Sequence, residues 1–114
     1  KDEIITTIMI NYCTNQKVQT LTKKIEDLLS RYLAQSVQIP YYDHGRSSNN
    51  IWNAHKKWLE WRNAECNFII GYYRGTGYST DIVFCRKELT EERLKKIQSI
   101  YDELQRKIKN HLSG

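Results

Sequence analysis

The sequence is short of chain breakers. In 114 residues it has one proline and five glycines, which disfavours a turn-dense sandwich and a disordered segment alike and points to helix. No apolar run approaches the ~20 residues that carry a helix across a bilayer, so no membrane span is expected. The chain opens on Lys1-Asp2-Glu3 without a basic and apolar leader, as expected of an intracellular protein or of one whose targeting segment has been removed. Cys13, Cys66 and Cys85 include no Cys-x-x-Cys pair, and His44, His55 and His111 include no i,i+3 or i,i+4 pair, so neither a metal nor a cofactor is expected. No nucleic-acid motif accompanies the formal charge of +5, and nucleic acid is not an expected partner. There is no internal repeat and no low-complexity tract.

What is present suits one domain over 1–114: the length allows a real core but not two comfortable ones, and 39% hydrophobic with 27% charged residues is a globular balance. The lysines are interspersed with acidic residues on predicted helices, the pattern of solvated faces. The surplus of positive charge suits an acidic partner or an anionic envelope polymer.

All three tryptophans fall in residues 51–66, the predicted hub helix. On a helical wheel Ile51, His55, Trp58, Leu59, Arg62 and Cys66 share one face, with Trp52 and Trp61 flanking it. An arginine within an apolar stripe must find a carboxylate or carbonyls, and Glu65 at i+3 is the nearest local candidate. Arg62 is therefore either a structural ion pair or a ligand-facing group, and His55 a satisfied core histidine. Trp58, Arg62 and Trp61 are the expected structural core of the hub.

Upstream, Ile4, Ile5, Ile8, Met9 and Tyr12 recur at helical spacing, although their β-branching also allows a strand. A firmer stripe, Val18, Leu21, Ile25, Leu28, Leu29, Tyr32 and Leu33, predicts a helix ending near Gln35. Its centre is rotated away from the first stripe, so either the helix bends near residues 14–16 or the first half packs on a different element, one outside this chain. Residues 36–50 break every period and form a long connection, after which Ser48 or Asn49 can cap the hub. The hub is expected to end near Cys66 or Phe68, before a glycine- and tyrosine-rich loop. Asp81 to Cys85 reads as a helical turn or a brief extended segment. Thr90 is the expected N-cap of a last helix carrying Leu94, Ile97, Tyr101, Leu104 and Ile108.

Pairing Cys66 with Cys85 would close the loop between them onto the bundle and contribute roughly 3 kcal/mol in the chain-entropy model. Free buried thiols, or a pairing that uses Cys13, are the alternatives. The two connections hold Tyr41, Tyr42, Tyr72, Tyr73 and Tyr78 with Arg46 and Arg74, residue types enriched at binding surfaces; the competing reading lays the rings over the core as a lid. Tyr73, Arg74, Tyr78, Tyr42 and Arg46 are the candidate partner-binding residues. Asp43 and His44 are adjacent, which orients neither for general-base work, and no nucleophile accompanies them, so no catalytic residue and no enzyme activity is expected.

The run Ala54-His55-Lys56-Lys57-Trp58-Leu59-Glu60-Trp61-Arg62-Asn63-Ala64-Glu65-Cys66, followed by Gly77, Cys85 and Leu89-Thr90-Glu91-Glu92-Arg93-Leu94, resembles the LprI-like lysozyme-inhibitor family, small secreted or periplasmic bacterial proteins. Trp58, Trp61, Arg62, Cys66, Cys85, Thr90 and Arg93 match its pattern, and Asn11-Tyr12-Cys13 with Leu28, Leu29 and Tyr32 look like its first helix. His55 stands where glutamine is usual and Asn63 where aspartate is. A cysteine upstream of the Cys13 position is common in the family, so Cys13 is expected to lack its usual mate here. The resemblance implies an all-α fold, a small antiparallel bundle of three to four helices with long loops and a disulfide, a periplasmic or secreted location, and a protein partner, lysozyme or another wall-targeting enzyme or toxin, blocked by steric occlusion. The alternative is an immunity-type or structural periplasmic protein that binds an acidic effector.

Overall fold

The computed structural model describes residues 2–39, 48–74 and 79–113, with side chains over 6–39, 48–73 and 80–112. Three helices account for nearly all of them: α1 (Asp2–Ser36), α2 (Ser48–Arg74) and α3 (Ser79–Ser113). Among the described residues there is no strand. The all-α bundle expected from the sequence is therefore present, with three helices.

Cross-helix contacts give the directions. Arg62 of α2 reaches both Thr22 of α1 and Thr90 of α3, while Gln35 of α1 meets Tyr101 and Gln105 of α3. Positions thus advance together along α1 and α3, and α2 runs the opposite way. The Cys66–Cys85 disulfide joins the end of α2 to the start of α3. We call that end of the bundle the disulfide end and the other the far end. At 1.5 Å per residue the 35-residue helices are each about 52 Å long. The described residues extend 64 × 24 × 19 Å with a radius of gyration of 18.1 Å, against roughly 13 Å for a compact domain of this size. The molecule is a rod.

Apolar periodicity holds the rod together. Ile25, Leu28 and Leu29 of α1 pack with Ile97 of α3 in a buried cluster, and Ile51, Trp52, Leu94 and Tyr101 close around it. Burying each such aliphatic side chain stabilises the fold by about 1.5–3 kcal/mol. Val18 and Leu21 extend the seam one way and Leu104 and Ile108 the other.

For α1 the sequence leaves two alternatives open, and the boundaries of α2 and α3 differ from expectation. Helix α1 runs without a break through residues 14–16: no glycine or proline interrupts it there, and the Thr14 hydroxyl donates to the Ile10 carbonyl at 2.8 Å, within the same helix. The first apolar stripe consequently stays turned from the core, with Ile8, Met9 and Tyr12 exposed. Helix α2 continues past Phe68 to Arg74, placing Tyr72 and Tyr73 on a helix rather than in a loop. Gly71 does not stop it, and a Cβ at that position would meet nothing within 4 Å. Helix α3 begins at Ser79 with Asp81 in its first turn, so Thr90 lies eleven residues inside the helix and caps nothing. A full helix interior supplies Thr90's N–H with a carbonyl four residues back, which removes the need for a cap.

Candidate functional site

Two arrangements stand out: a polar cluster at the waist of the bundle and a set of uncovered apolar side chains at the disulfide end. The waist is built around Arg62, which the wheel places on the inner face of α2 and which is 8% exposed. Its Nη1 donates to Thr22 Oγ1 at 3.3 Å and to Thr90 Oγ1 at 3.2 Å, and its Nε donates to Asn63 Oδ1 at 3.1 Å. Each threonine hydroxyl in turn donates to its own helix, Thr22 to the Val18 carbonyl and Thr90 to the Arg86 carbonyl. Their lone pairs are thereby left facing the guanidinium. The expected partner, Glu65, is not used: neutral oxygens from three helices satisfy Arg62, because those hydroxyls already point inward where a carboxylate would have to be desolvated.

The charge is instead spread onto an aromatic face. The Arg62 and Arg93 guanidinium carbons each lie 5.5 Å from the centre of the Trp58 ring. Such contacts contribute about 0.5–2 kcal/mol, more as water is excluded. Burial lowers the pKa of both arginines below the usual value, and for Arg62 the nearby Arg86 charge adds to it. Beside this cluster His55, 4% exposed, stacks against Trp58 and meets Glu26 of α1 at 3.0 Å through Nε2. Trp58 and Arg62 therefore belong to the core, whereas Trp61 does not: it is 47% exposed, since one step back along the wheel from the inward-facing Arg62 carries it to the solvent side.

The residues that make this cluster, Trp58, Arg62, Thr90 and Arg93 with the cystine beside them, are separated in sequence but joined in space. The family model for "Lysozyme inhibitor LprI" matches residues 1–97. The chain belongs to the LprI lysozyme-inhibitor family. No curated protein and no solved structure matches it. Of the LprI residues, Trp58, Arg62, Thr90 and Arg93 mark the waist on this fold, where they tie α2 to α1 and α3 and are largely covered, whereas Trp61 is open to solvent.

The surface that an LprI-type inhibitor could offer lies elsewhere. At the disulfide end, Ile8, Met9 and Tyr12 of α1 and Phe68, Tyr72 and Tyr73 of α2 are each more than 60% exposed, and Phe84 of α3 is 41% exposed. Tyr72 and Tyr73 meet edge-to-face with centroids 5.0 Å apart. Free Cys13 is exposed on the same part of α1. Charge is divided just as unevenly. Residues 6–20, 61–73 and 80–92, the disulfide half, hold four basic and five acidic side chains, net −1; residues 21–39, 48–60 and 93–112, the far half, hold eleven basic and five acidic, net +6.

Among the candidate partner-binding residues, Tyr73 is on this apolar surface and Arg74 ends α2, its side chain outside the described residues. Tyr78, Tyr42 and Arg46 also lie outside the described residues. The helix ends that flank the two tyrosine-bearing connections are at opposite ends of the rod. Phe68 was not singled out by sequence, being taken as a helix terminus. Ile8, Met9 and Tyr12 had announced themselves by a stripe that the second stripe's neighbour could not cover. Among the described residues there is no cluster of metal-ligating side chains and no helix long and apolar enough to cross a membrane.

Proposed function

We propose that this chain is a periplasmic or secreted inhibitor, a single binding domain over 1–114 without catalytic activity, that seats its disulfide end against lysozyme or a related wall-cleaving enzyme and occludes the cleft. The observation that carries this reading is the coincidence of exposed aromatic and aliphatic side chains with the half of the rod that has no positive surplus. Tyrosine and phenylalanine supply large contact area at small entropic cost. Lysozymes of the common animal type are basic, and a uniformly +5 surface would repel them. Here the surplus lies in the far half of a molecule 64 Å long, and beyond a Debye length of about 8 Å at physiological salt it is largely screened from the contact. Tyr73 and Phe68 act as anchors, with Tyr78 and Arg74 at the adjoining connection; a contact through Tyr42 and Arg46 would use the opposite end.

Titrating a panel of lysozymes and other wall-cleaving enzymes with the wild-type chain and with Phe68→Ala/Tyr73→Ala tests this. The double variant is expected to inhibit at least tenfold less well at an unchanged melting temperature. Unimpaired inhibition by that variant, with loss on Tyr42→Ala/Arg46→Ala, would move the contact to the far end. The rival reading, an immunity-type or structural envelope protein gripping an acidic effector, draws on the same +6 half. It predicts binding that weakens steeply as salt rises, whereas a basic enzyme at the disulfide end is little affected.

A further inference from the structure

The chain contains three Lys-Lys pairs, Lys23-Lys24, Lys56-Lys57 and Lys95-Lys96, one on each helix. The fold brings them to within about 6 Å of one height. Taking the Thr22–Arg62–Thr90 contacts as a level, the α2 and α3 pairs both lie about 8 Å towards the far end and the α1 pair about 2 Å, at 1.5 Å rise per residue. All six lysines are exposed, and none has an ion-pair partner among the described residues. Of the nearby carboxylates Glu26 is engaged with His55 and Glu91 with Lys87, while Asp27, Glu60 and Glu92 lie one turn from the pairs on α1, α2 and α3 and offset part of their charge. The pairs thus form a girdle of cations around a shaft whose cross-section is about 24 × 19 Å. Exposed Trp61 lies near the height of the α1 pair, one helical turn from Lys57 on α2.

We propose that this girdle is a binding site for a linear acidic glycan that wraps the waist of the bundle, its carboxylate or phosphate groups meeting the lysine pairs and one sugar ring resting on Trp61. Three features select that ligand. Cations on three outward faces cannot all meet a flat surface, so a membrane would engage one or two pairs, whereas a flexible chain can follow the circumference. The girdle lacks the companion apolar surface that membrane insertion needs; that surface is at the disulfide end. An exposed indole offers a broad apolar face that matches the C–H face of a pyranose and has no counterpart in a bare polyphosphate. The site is separate from the enzyme-binding end, so both could be occupied at once, holding the inhibitor among anionic envelope glycans where wall-cleaving enzymes act.

The test is binding of the full chain to polygalacturonate, long-chain polyphosphate and anionic phospholipid vesicles between 50 and 200 mM NaCl, for wild type and for Lys23→Gln/Lys24→Gln, Lys56→Gln/Lys57→Gln, Lys95→Gln/Lys96→Gln and Trp61→Ala. Wild type should bind polygalacturonate most tightly of the three probes and lose roughly tenfold or more in affinity over that salt range. Each lysine pair removed should lower the slope of log affinity against log salt by about one to two. Trp61→Ala should weaken polygalacturonate at least fivefold without changing the slope. Sensitivity to only one pair, tighter binding to vesicles, or equal binding of polyphosphate with no effect of Trp61→Ala would each overturn the proposal. Lysozyme inhibition is measured on the same variants: all should retain it, while Phe68→Ala/Tyr73→Ala should lose it and keep the glycan, so the two readings fail separately.

Discussion

The waist and the disulfide end are made of similar residues put to opposite use. At the waist, tryptophan, arginine and threonine from three helices engage one another: Arg62 donates through Nε and Nη1 to Asn63, Thr22 and Thr90, and Trp58 lies against two guanidiniums. Even so, Nε of Arg86 and Arg93 and Nδ1 of His55 are buried without a protein partner among the described residues. At the disulfide end, tyrosines, a phenylalanine and aliphatic residues of equal size meet almost nothing of their own chain. The difference teaches where to look for function in a small bundle. Side chains that complete each other carry stability, and large apolar groups left over are free to carry binding.

That contrast can be broken or sharpened by substitution, taken here from the largest expected effect on stability to the smallest. Ile25→Ala empties a fully buried position of the central cluster and should cost about 3–4 kcal/mol in urea unfolding, with lysozyme binding retained below the transition. Replacing Cys66 and Cys85 together by serine opens a 19-residue separation and should cost about 3 kcal/mol. Binding should weaken too, because the cystine anchors α2 where Phe68 and Tyr73 project. Thr90→Val keeps shape but deprives the Arg62 guanidinium of an acceptor at a site with no exposure; about 2 kcal/mol is expected. Glu65→Gln is its control, expected to shift stability by less than about 0.5 kcal/mol, and a loss as large as that of Thr90→Val would mean that a carboxylate holds Arg62 after all. Tyr72→Ala should likewise change stability by under about 0.5 kcal/mol while measurably weakening the partner. A melting temperature that fell with it would make the disulfide end part of the core and erase the contrast.

Much of the bundle was legible beforehand because its seam is strictly periodic. Val18, Leu21, Ile25, Leu28 and Leu29 mark the inner face of α1, and Leu94, Ile97, Tyr101, Leu104 and Ile108 that of α3, with no further information required. The inward position of Arg62 followed from the same wheel. Its partners did not, since Thr22 and Thr90 lie 40 and 28 residues away and nothing local marks a threonine hydroxyl as an acceptor. Helix ends were the weakest expectation. Gly71 and the paired tyrosines look like a loop, yet α2 runs through them to Arg74, since a single glycine weakens a helix by only about 1 kcal/mol and need not end it. Thr90 looks like a cap because Glu91 and Glu92 follow it, and the same residues serve equally well in the middle of a helix.

By itself the sequence determined the class of fold, the identity of the hub and the family to which these residues belong, because periodicity and short spacings are local properties; the Cys66–Cys85 pairing was one of several that it allowed. Only the tertiary structure decided which surfaces remain open. Whether Ile8, Tyr12, Phe68 and Tyr73 are core or contact depends on where neighbouring helices begin and end, and the separation of an apolar, weakly negative end from a +6 half depends on all three helices lying side by side. Three lysine pairs scattered over 74 residues become a girdle for the same reason: antiparallel packing turns distance along the chain into height along a common axis.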